Sequence, residues 1–385
     1  MEYLQITSHS NHHHLPQWVN WSELPDHILS IISKFLTNIV DFIKFGAVCH
    51  SWHLVYTQTL PEYHPPPQFP LLMISTDLDH YDETHSFCSL TKSSLSNYRV
   101  TMSHDYVCRG SSYGWLVIVD KVSNGVHLFN PFLGENCEIR VPSVTEFKGF
   151  PAHAISNEYC LVNAVLSANP LLDGDYVVMA IYGGFNRLAY YKPGDKSWTC
   201  LDDDHVFYSV IYFHDQFYGV DRVGALYAID LSEHDPKLTM VVESVYEHTT
   251  NQLYLVESCG NLVMVKREVK YDSPIYFTTG FEVFKLDFVE SKWVQVKDIC
   301  GQVLFLGDNL SMSLPASNCP GCDPNSIYFT DDNFYWHEFA SPYRIYDTGV
   351  FNMEDGSIDR HYAMKSEMKF PPPIWVEPAP RRRFN

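Results

Sequence analysis

The chain has 385 residues, of which 45% are hydrophobic and 15% aromatic, and its 46 acidic against 26 basic residues leave a formal charge of −20. That apolar content is enough to offset the entropy of ordering and excludes extended disorder outside the ends, while the charge would repel a phosphate backbone, so no nucleic acid is expected as a partner. The length prior of about 150 residues per domain allows two or three domains, although β architectures often run longer as one unit.

Residues 1–19, "MEYLQITSHSNHHHLPQWV", carry neither a basic start nor a continuous apolar core, and no run of 18 apolar residues occurs later, so neither a signal peptide nor a membrane span is expected. His9 and His12 to His14 are read as a solvated tail. Ten scattered cysteines without a secretory signal read as reduced thiols, which points to the cytoplasm and/or nucleus. The sequons at Asn20 and Asn309 are then chance matches.

Residues 21–55, "WSELPDHILSIISKFLTNIVDFIKFGAVCHSWHLV", carry a helical pattern. Pro25 suits a helix start and Asp26 opposes the dipole of the first turn. Ile28, Leu29, Ile32, Phe35 and Leu36 recur at spacings of three and four, and Thr37-Asn38 breaks the run. Ile39, Phe42, Ile43 and Phe45 form a second set, Gly46 bends the chain, and Val48, Cys49, Trp52 and Val55 form a third. Three short helices are too small to bury all these side chains alone, so the module is expected to complete its burial against a partner or a neighbouring domain.

In order and spacing, Leu24-Pro25, Ile28-Leu29, the turn from Asn38 to Asp41, Val48-Cys49 and Trp52 resemble the F-box pattern. The resemblance covers residues 20–60 and implies docking onto a Skp-type adaptor of a cullin-RING ubiquitin ligase. The adaptor-binding set it implies is Leu24, Pro25, Ile28 and Leu29 on the docking face, with Val48 and Trp52 holding the helices together.

Residues 61–69, "PEYHPPPQF", cannot continue a helix and read as a semi-rigid linker. Beyond them, runs such as "GWLVIVD", "DYVVMAIYG", "NLVMVKRE" and "FEVFKLD" are β-branched and aromatic, cut by Gly, Asn, Asp and Pro, and no long 3.6-period run follows. The fold expected is therefore mainly β with a small α-helical N-terminal module, its β part a sandwich, barrel or propeller. "VHLFNPFLGENCEIRVP", "RLAYYKPGDKSWTCL", "FEVFKLDFVESKWVQV" and "RIYDTGVFNMEDGSID" each resemble the outer hairpin of a propeller blade, at spacings of about 40–50 residues. The reading is a propeller over residues 70–365, with six blades or seven, and a C-terminal tail over 366–385.

"GSSYGWLV", "FNPFLGE", "VIYFHDQFYGVD" and "NSIYFTDD" together resemble plant F-box proteins with a C-terminal KIB-type propeller. That resemblance implies a non-catalytic substrate receptor in an SCF-type (Skp-cullin-F-box) ligase, in which the helices hold the adaptor and the propeller holds the protein to be ubiquitylated. Two alternatives compete: a propeller that binds a small molecule or performs chemistry in its channel with the helices as a cap, and an F-box protein acting outside the ligase.

No catalytic, cofactor-binding or metal-binding residue is assigned. "GSSYG" places Ser112 in a G-x-S-x-G pattern, but a strand follows where a hydrolase needs a helix, so a β-turn is expected. Cys319 and Cys322, in "CPGC", have the spacing of a metal or redox pair, yet no second pair stands at a matching distance. Cys49, His50 and His53 lie on a helix whose shared face belongs to the core, and Asp202 to Asp204 read as a solvated turn, with calcium left open. For the client surface the candidates are the loops 143–158 and 313–326, with Phe147 and Phe150 as exposed anchors, and the net charge favours a basic client.

Overall fold

The computed structural model describes residues 21–36, 39–59, 70–75, 84–88, 95–103, 105–133, 137–149, 160–201, 205–232, 236–246, 252–272, 275–332, 347–360 and 373–377. His9, His12 to His14, Asn20, Phe150 and Asp202 to Asp204 lie outside these residues. Two compact units are present, one of residues 1–37 and 41–63 and the other of residues 64–385 with 38–40.

The first unit holds α1 (Asp26–Phe35), α2 (Ile39–Gly46) and α3 (His50–Thr59), preceded by a 3-10 turn at Trp21–Glu23. The Pro25 carbonyl starts α1 by accepting from the Ile28 and Leu29 amides at 2.9 and 3.2 Å. α1 packs on α3, and α3 is tied back to the 3-10 turn: the Trp52 indole N–H donates to the Trp21 carbonyl and the Ser51 hydroxyl to that of Ser22, both at 2.9 Å. Phe42 stands 4.9 Å from Tyr56, and Phe45 4.7 Å from Trp52, centroid to centroid. Gly46 is needed here for space, since a Cβ would lie 2.6 Å from the Tyr56 ring.

Among the described residues of the second unit the strands form six sheets. Four are antiparallel meanders in chain order: β4 (Tyr106–Ser112), β5 (Trp115–Asp120), β6 (Val126–Phe129) and β7 (Glu138–Val141); β8 (Leu161–Leu166), β9 (Val178–Tyr182), β10 (Arg187–Tyr191) and β11 (Thr199–Cys200); β12 (Phe207–Phe213), β13 (Gln216–Asp221), β14 (Leu226–Asp230) and β15 (Lys237–Val242); β16 (Gln252–Ser258), β17 (Asn261–Asp272), β18 (Ile275–Asp287) and β19 (Lys292–Val296). A fifth sheet has the order β21 (Ser311–Pro315), β20 (Gln302–Leu306), β22 (Ser326–Phe329), β23 (Gly349–Asn352) and β24 (Ile358–Asp359), with β20 and β22 parallel. The last joins β1 (Leu71–Ser75), β2 (Thr84–Cys88) and β3 (Leu95–Thr101) to β25 (Ile374–Val376), which pairs antiparallel with β1.

The expected six blades, or seven, are corrected to five. Five blades follow one another from Tyr106 to Asp359, each made from a continuous stretch of chain. The remaining sheet is a composite of both ends of the β unit, which no repeat count along the sequence could reveal. Residues 374–376, read as tail, supply its β25 strand, so the boundary at 365 falls too early. The segment 313–326, read as a long loop, holds the end of β21, a 3-10 turn at Ala316–Asn318 and the start of β22. Its polar composition misled because Ser313 and Leu314 are buried in the sheet, and Cys319 turns inward between the exposed Asn318 and Pro320.

Adjacent sheets share apolar layers. Val117, Val119 and Leu128 of the β4–β7 blade meet Leu161, Val178 and Ala180 of the next, and corresponding layers join each successive blade through β20–β24. Leu72, Ile74 and Trp375 of the composite sheet then pack on Val303, Phe305 and Tyr328. Gly110 permits the closest approach, because a Cβ there would stand 2.0 Å from the Ala164 carbonyl oxygen in β8. Trp375 is wholly buried, and its indole N–H donates to the Leu306 carbonyl at 3.0 Å. Trp375→Ala should therefore cost the β unit about 3–5 kcal/mol, the usual penalty for emptying a buried aromatic site, measured as a lowered denaturant midpoint. A loss under 1 kcal/mol would mean that the composite sheet is dispensable.

Candidate functional site

In the helical unit the apolar arc of α1 is wider than α3 covers. Leu29 is fully buried, Leu24, Ile28, Ile32 and Leu36 are half-buried, and Pro25, Ile31 and Phe35 are exposed, Phe35 at 78%. At 100° per residue Ile28, Ile31, Ile32 and Phe35 share one sector and Leu29, Ser33 and Leu36 the adjoining one, so the helix buries one sector and leaves the other open. Leu29, expected on the docking face, belongs instead to the unit's interior. Val48, expected between helices, is exposed, whereas Trp52 does join α3 to Phe45 and Trp21. Cys49 pairs its sulfur with the Ser51 hydroxyl at 3.1 Å, and His53 brings Nδ1 within 3.2 Å of the Gly46 carbonyl.

In the β unit the first strands of four successive blades, β4, β8, β12 and β16, together with β21, surround a central cavity of about 500 Å³. Its lining mixes apolar residues such as Val210 and Leu255 with polar ones, among them Ser112, Asn163, Gln252 and Asp308. The β20–β21 turn reaches across it: the Asp308 carbonyl accepts from the Asn163 amide at 2.7 Å, and the Asp308 carboxylate accepts from the Arg109 guanidinium at 3.0 Å. Burial raises the Asp308 carboxyl to about 6 despite the nearby Arg109 charge. Asn309 is buried and donates to the Trp375 carbonyl at 2.7 Å, which leaves that sequon no room for a glycan.

A second polar cluster lies between the last two blades. Arg267 is fully buried; its Nε donates to the Thr278 hydroxyl at 2.7 Å, Nη1 to the Thr330 carbonyl at 2.8 Å and Nη2 to the Asp347 carboxylate at 3.0 Å. Asp332 stands 3.1 Å from Nη1 and also accepts from the hydroxyls of Tyr254 and Tyr276. Asp347 further accepts from the Thr278 amide and hydroxyl, both at 2.6 Å, and from Arg360 at 2.6 Å. Burial works against the Arg267 charge, but Asp332 and the other acidic neighbours outweigh it and hold the guanidinium protonated. This cluster was missed in the sequence; its signal was an arginine in register with the inward-facing Val263 and Val265 of an apolar strand.

Of the two expected client anchors, Phe150 lies outside the described residues and Phe147 is corrected. Phe147 is buried, 4% exposed, with its ring 4.4 Å from Tyr182 and 5.0 Å from Trp198, so it closes the apolar layer between two blades instead of waiting for a partner. Ser112 ends β4 and its hydroxyl accepts from the Leu166 amide at 3.3 Å, while Tyr113 and Gly114 take positive φ to turn the chain into β5. Among the described residues no group of three or more His, Cys, Asp or Glu side chains is gathered as a metal site would need. Arg267→Met should destabilise the β unit by about 3–5 kcal/mol, because Asp332 would remain buried without its cation and Asp347 would keep only Arg360. Denaturant unfolding of the full chain measures this; an unchanged midpoint would show the cluster to be dispensable.

A family model for the KIB1-4 beta-propeller matches residues 87–352, more than half of the chain. The F-box protein SKIP23 of Arabidopsis thaliana is 28% identical, the alignment covering 93% of this chain and 96% of that one. The F-box protein At2g17036 of the same plant is 25% identical over 93% and 95% of the two chains. Among solved structures, the beta-propeller domain of Myceliophteria thermophila Cps50 (Swd1) gives a TM-score of 0.38 at 11% identity, covering 72% of this chain and 80% of that one. The chain belongs to the KIB1-4 beta-propeller family and is a plant F-box protein with a KIB-type propeller.

Proposed function

We propose that this protein is the substrate-recognition subunit of an SCF-type ubiquitin ligase. Its F-box helices bind a Skp-type adaptor, which links it to a cullin-RING assembly, and its propeller binds the protein to be ubiquitylated. The chain itself supplies no catalytic group, and it works in the cytoplasm and/or nucleus. The observation that carries the reading is the open apolar sector of α1: Ile31 and Phe35 are exposed beside half-buried Ile28, with Pro25 at the head of the helix. The F-box names of the Arabidopsis relatives, aligned over nine-tenths of this chain, support the same role.

Fully desolvating a Leu, Ile or Phe side chain contributes about 1.5–3 kcal/mol, which makes this sector adequate as the centre of an adaptor interface. The client surface falls to the propeller, and Phe147 is not part of it. Beyond the edge of β16 the hairpin of β17 and β18 continues as a two-stranded arm, with Tyr271 exposed near its end, and offers a projecting contact of the kind a receptor uses.

The double substitution Ile31→Ala and Phe35→Ala should weaken binding to a purified Skp-type adaptor by at least about tenfold, the equivalent of 1.4 kcal/mol, with circular dichroism unchanged. Both side chains are exposed, so the fold should tolerate the change. Undiminished affinity in the folded double variant would remove α1 from the interface.

A further inference from the structure

We propose that Cys319 and Cys322 form a redox-modification site, in which peroxide converts the two thiols into a reversible intramolecular disulfide. The pair occupies the two ends of a β-turn: the Cys322 amide donates to the Cys319 carbonyl at 2.9 Å, and Pro320 and Gly321, the latter at φ +85°, fill the two central positions. Proline with its fixed φ followed by a residue of positive φ is the arrangement of a type II turn. Such a turn keeps its end Cα atoms within about 7 Å, while a disulfide spans about 4.4–6.8 Å between Cα atoms, so the backbone already holds a separation that the bond can bridge.

The surroundings divide the labour between the two sulfurs. Cys319 is 1% exposed and lies in the apolar layer with Val303, Leu314 and Trp375, where no oxidant reaches it directly. Cys322 is half-buried at the edge of that layer. Hydrogen bonding from the Cys319 thiol and the Tyr328 hydroxyl holds the Cys322 thiol below its ordinary range, against the opposing effect of burial. Cys322 is therefore the attacking thiol and Cys319 the resolving one.

The chemistry balances in two steps. The Cys322 thiolate attacks one peroxide oxygen, the O–O bond breaks, and the second oxygen leaves as water after taking up a proton, which gives a sulfenic acid. The Cys319 thiol then attacks the sulfenic sulfur; the S–S bond forms, the S–O bond breaks, and a second water departs. Two thiols are oxidised by two electrons in total, and peroxide is reduced to two waters. A dithiol reverses the change by exchange. Because only two residues separate the cysteines, the closed loop is short and the link constrains the turn more than the whole unit.

The test exposes the reduced full-length protein to limiting hydrogen peroxide, blocks the remaining thiols with an alkylating reagent and maps the peptides by mass. The expected result is that the 319–322 peptide loses two hydrogens and resists alkylation before the more exposed Cys259 and Cys300 react, and that dithiothreitol restores both thiols. If Cys319 and Cys322 stay alkylatable while Cys259 and Cys300 are consumed, or if Cys322 passes to a sulfinic acid with Cys319 still a thiol, the proposal fails. Cys322→Ser, at the half-buried position, should leave Cys319 unoxidised in the folded chain; oxidation of Cys319 at the wild-type rate in that variant would also overturn it.

Discussion

The β unit depends on one constraint: each sheet has two apolar faces, and both must be covered. A linear stack of blades would leave its first and last faces in water, and exposed apolar surface at about 25 cal/mol per Å² would consume the stability of any domain. This chain meets the constraint by building one sheet from both of its ends, with Ile374–Val376 laid antiparallel on Leu71–Ser75. Trp375 then serves twice, filling the layer against Phe305 and capping the Leu306 carbonyl, while its own carbonyl holds Asn309 at the base of the turn that spans the cavity. Closure of the ring and the shape of its centre are thus set by the same residue.

The motifs that carry the family resemblance work mainly as structural devices. In "GSSYGWLV", Gly110 allows β4 to approach β8, and Trp115 fixes the neighbouring blade by donating to Asn169 at 3.0 Å. In "VIYFHDQFYGVD", His214 and Asp215 adopt positive φ at the hairpin turn, and Gly219 leaves room for the Phe207 ring. In "NSIYFTDD", Asn325 accepts from the amides of Ile299 and Gly301, and the two aspartates enter the buried cluster around Arg267. That cluster locks two blades together with charges, whose geometry is fixed far more narrowly than apolar contacts would be.

Local signals were legible in the sequence and long-range ones were not. Strand alternation, Pro-Gly turns and the outer hairpins all reflect neighbours close in the chain: the four hairpins picked out by their repeat are the outer pairs of their blades. The composite sheet joins residues about 300 apart, and nothing in "PPPIWVEP" distinguishes an inner strand from a tail. Phe147 looked like an exposed anchor because its neighbours are polar, but its burial is decided by Tyr182 and Trp198 from the next blade. On α1 the periodicity located the helix, but which sector of its wide apolar arc meets α3 depends on the packing of the other helices. Leu29, which the family resemblance put on the docking face, is consequently buried, whereas Phe35 of the same periodic set is exposed.

The division of labour implied here is that the helical unit engages the proposed adaptor while the β unit remains free for a client. Hydrogen exchange of the full-length protein with and without a purified Skp-type adaptor tests this most directly. Added protection is expected to be confined to residues 21–59, centred on α1, with the exchange of the blades unchanged. Protection concentrated in the propeller, or none anywhere at saturating adaptor, would contradict that division of labour.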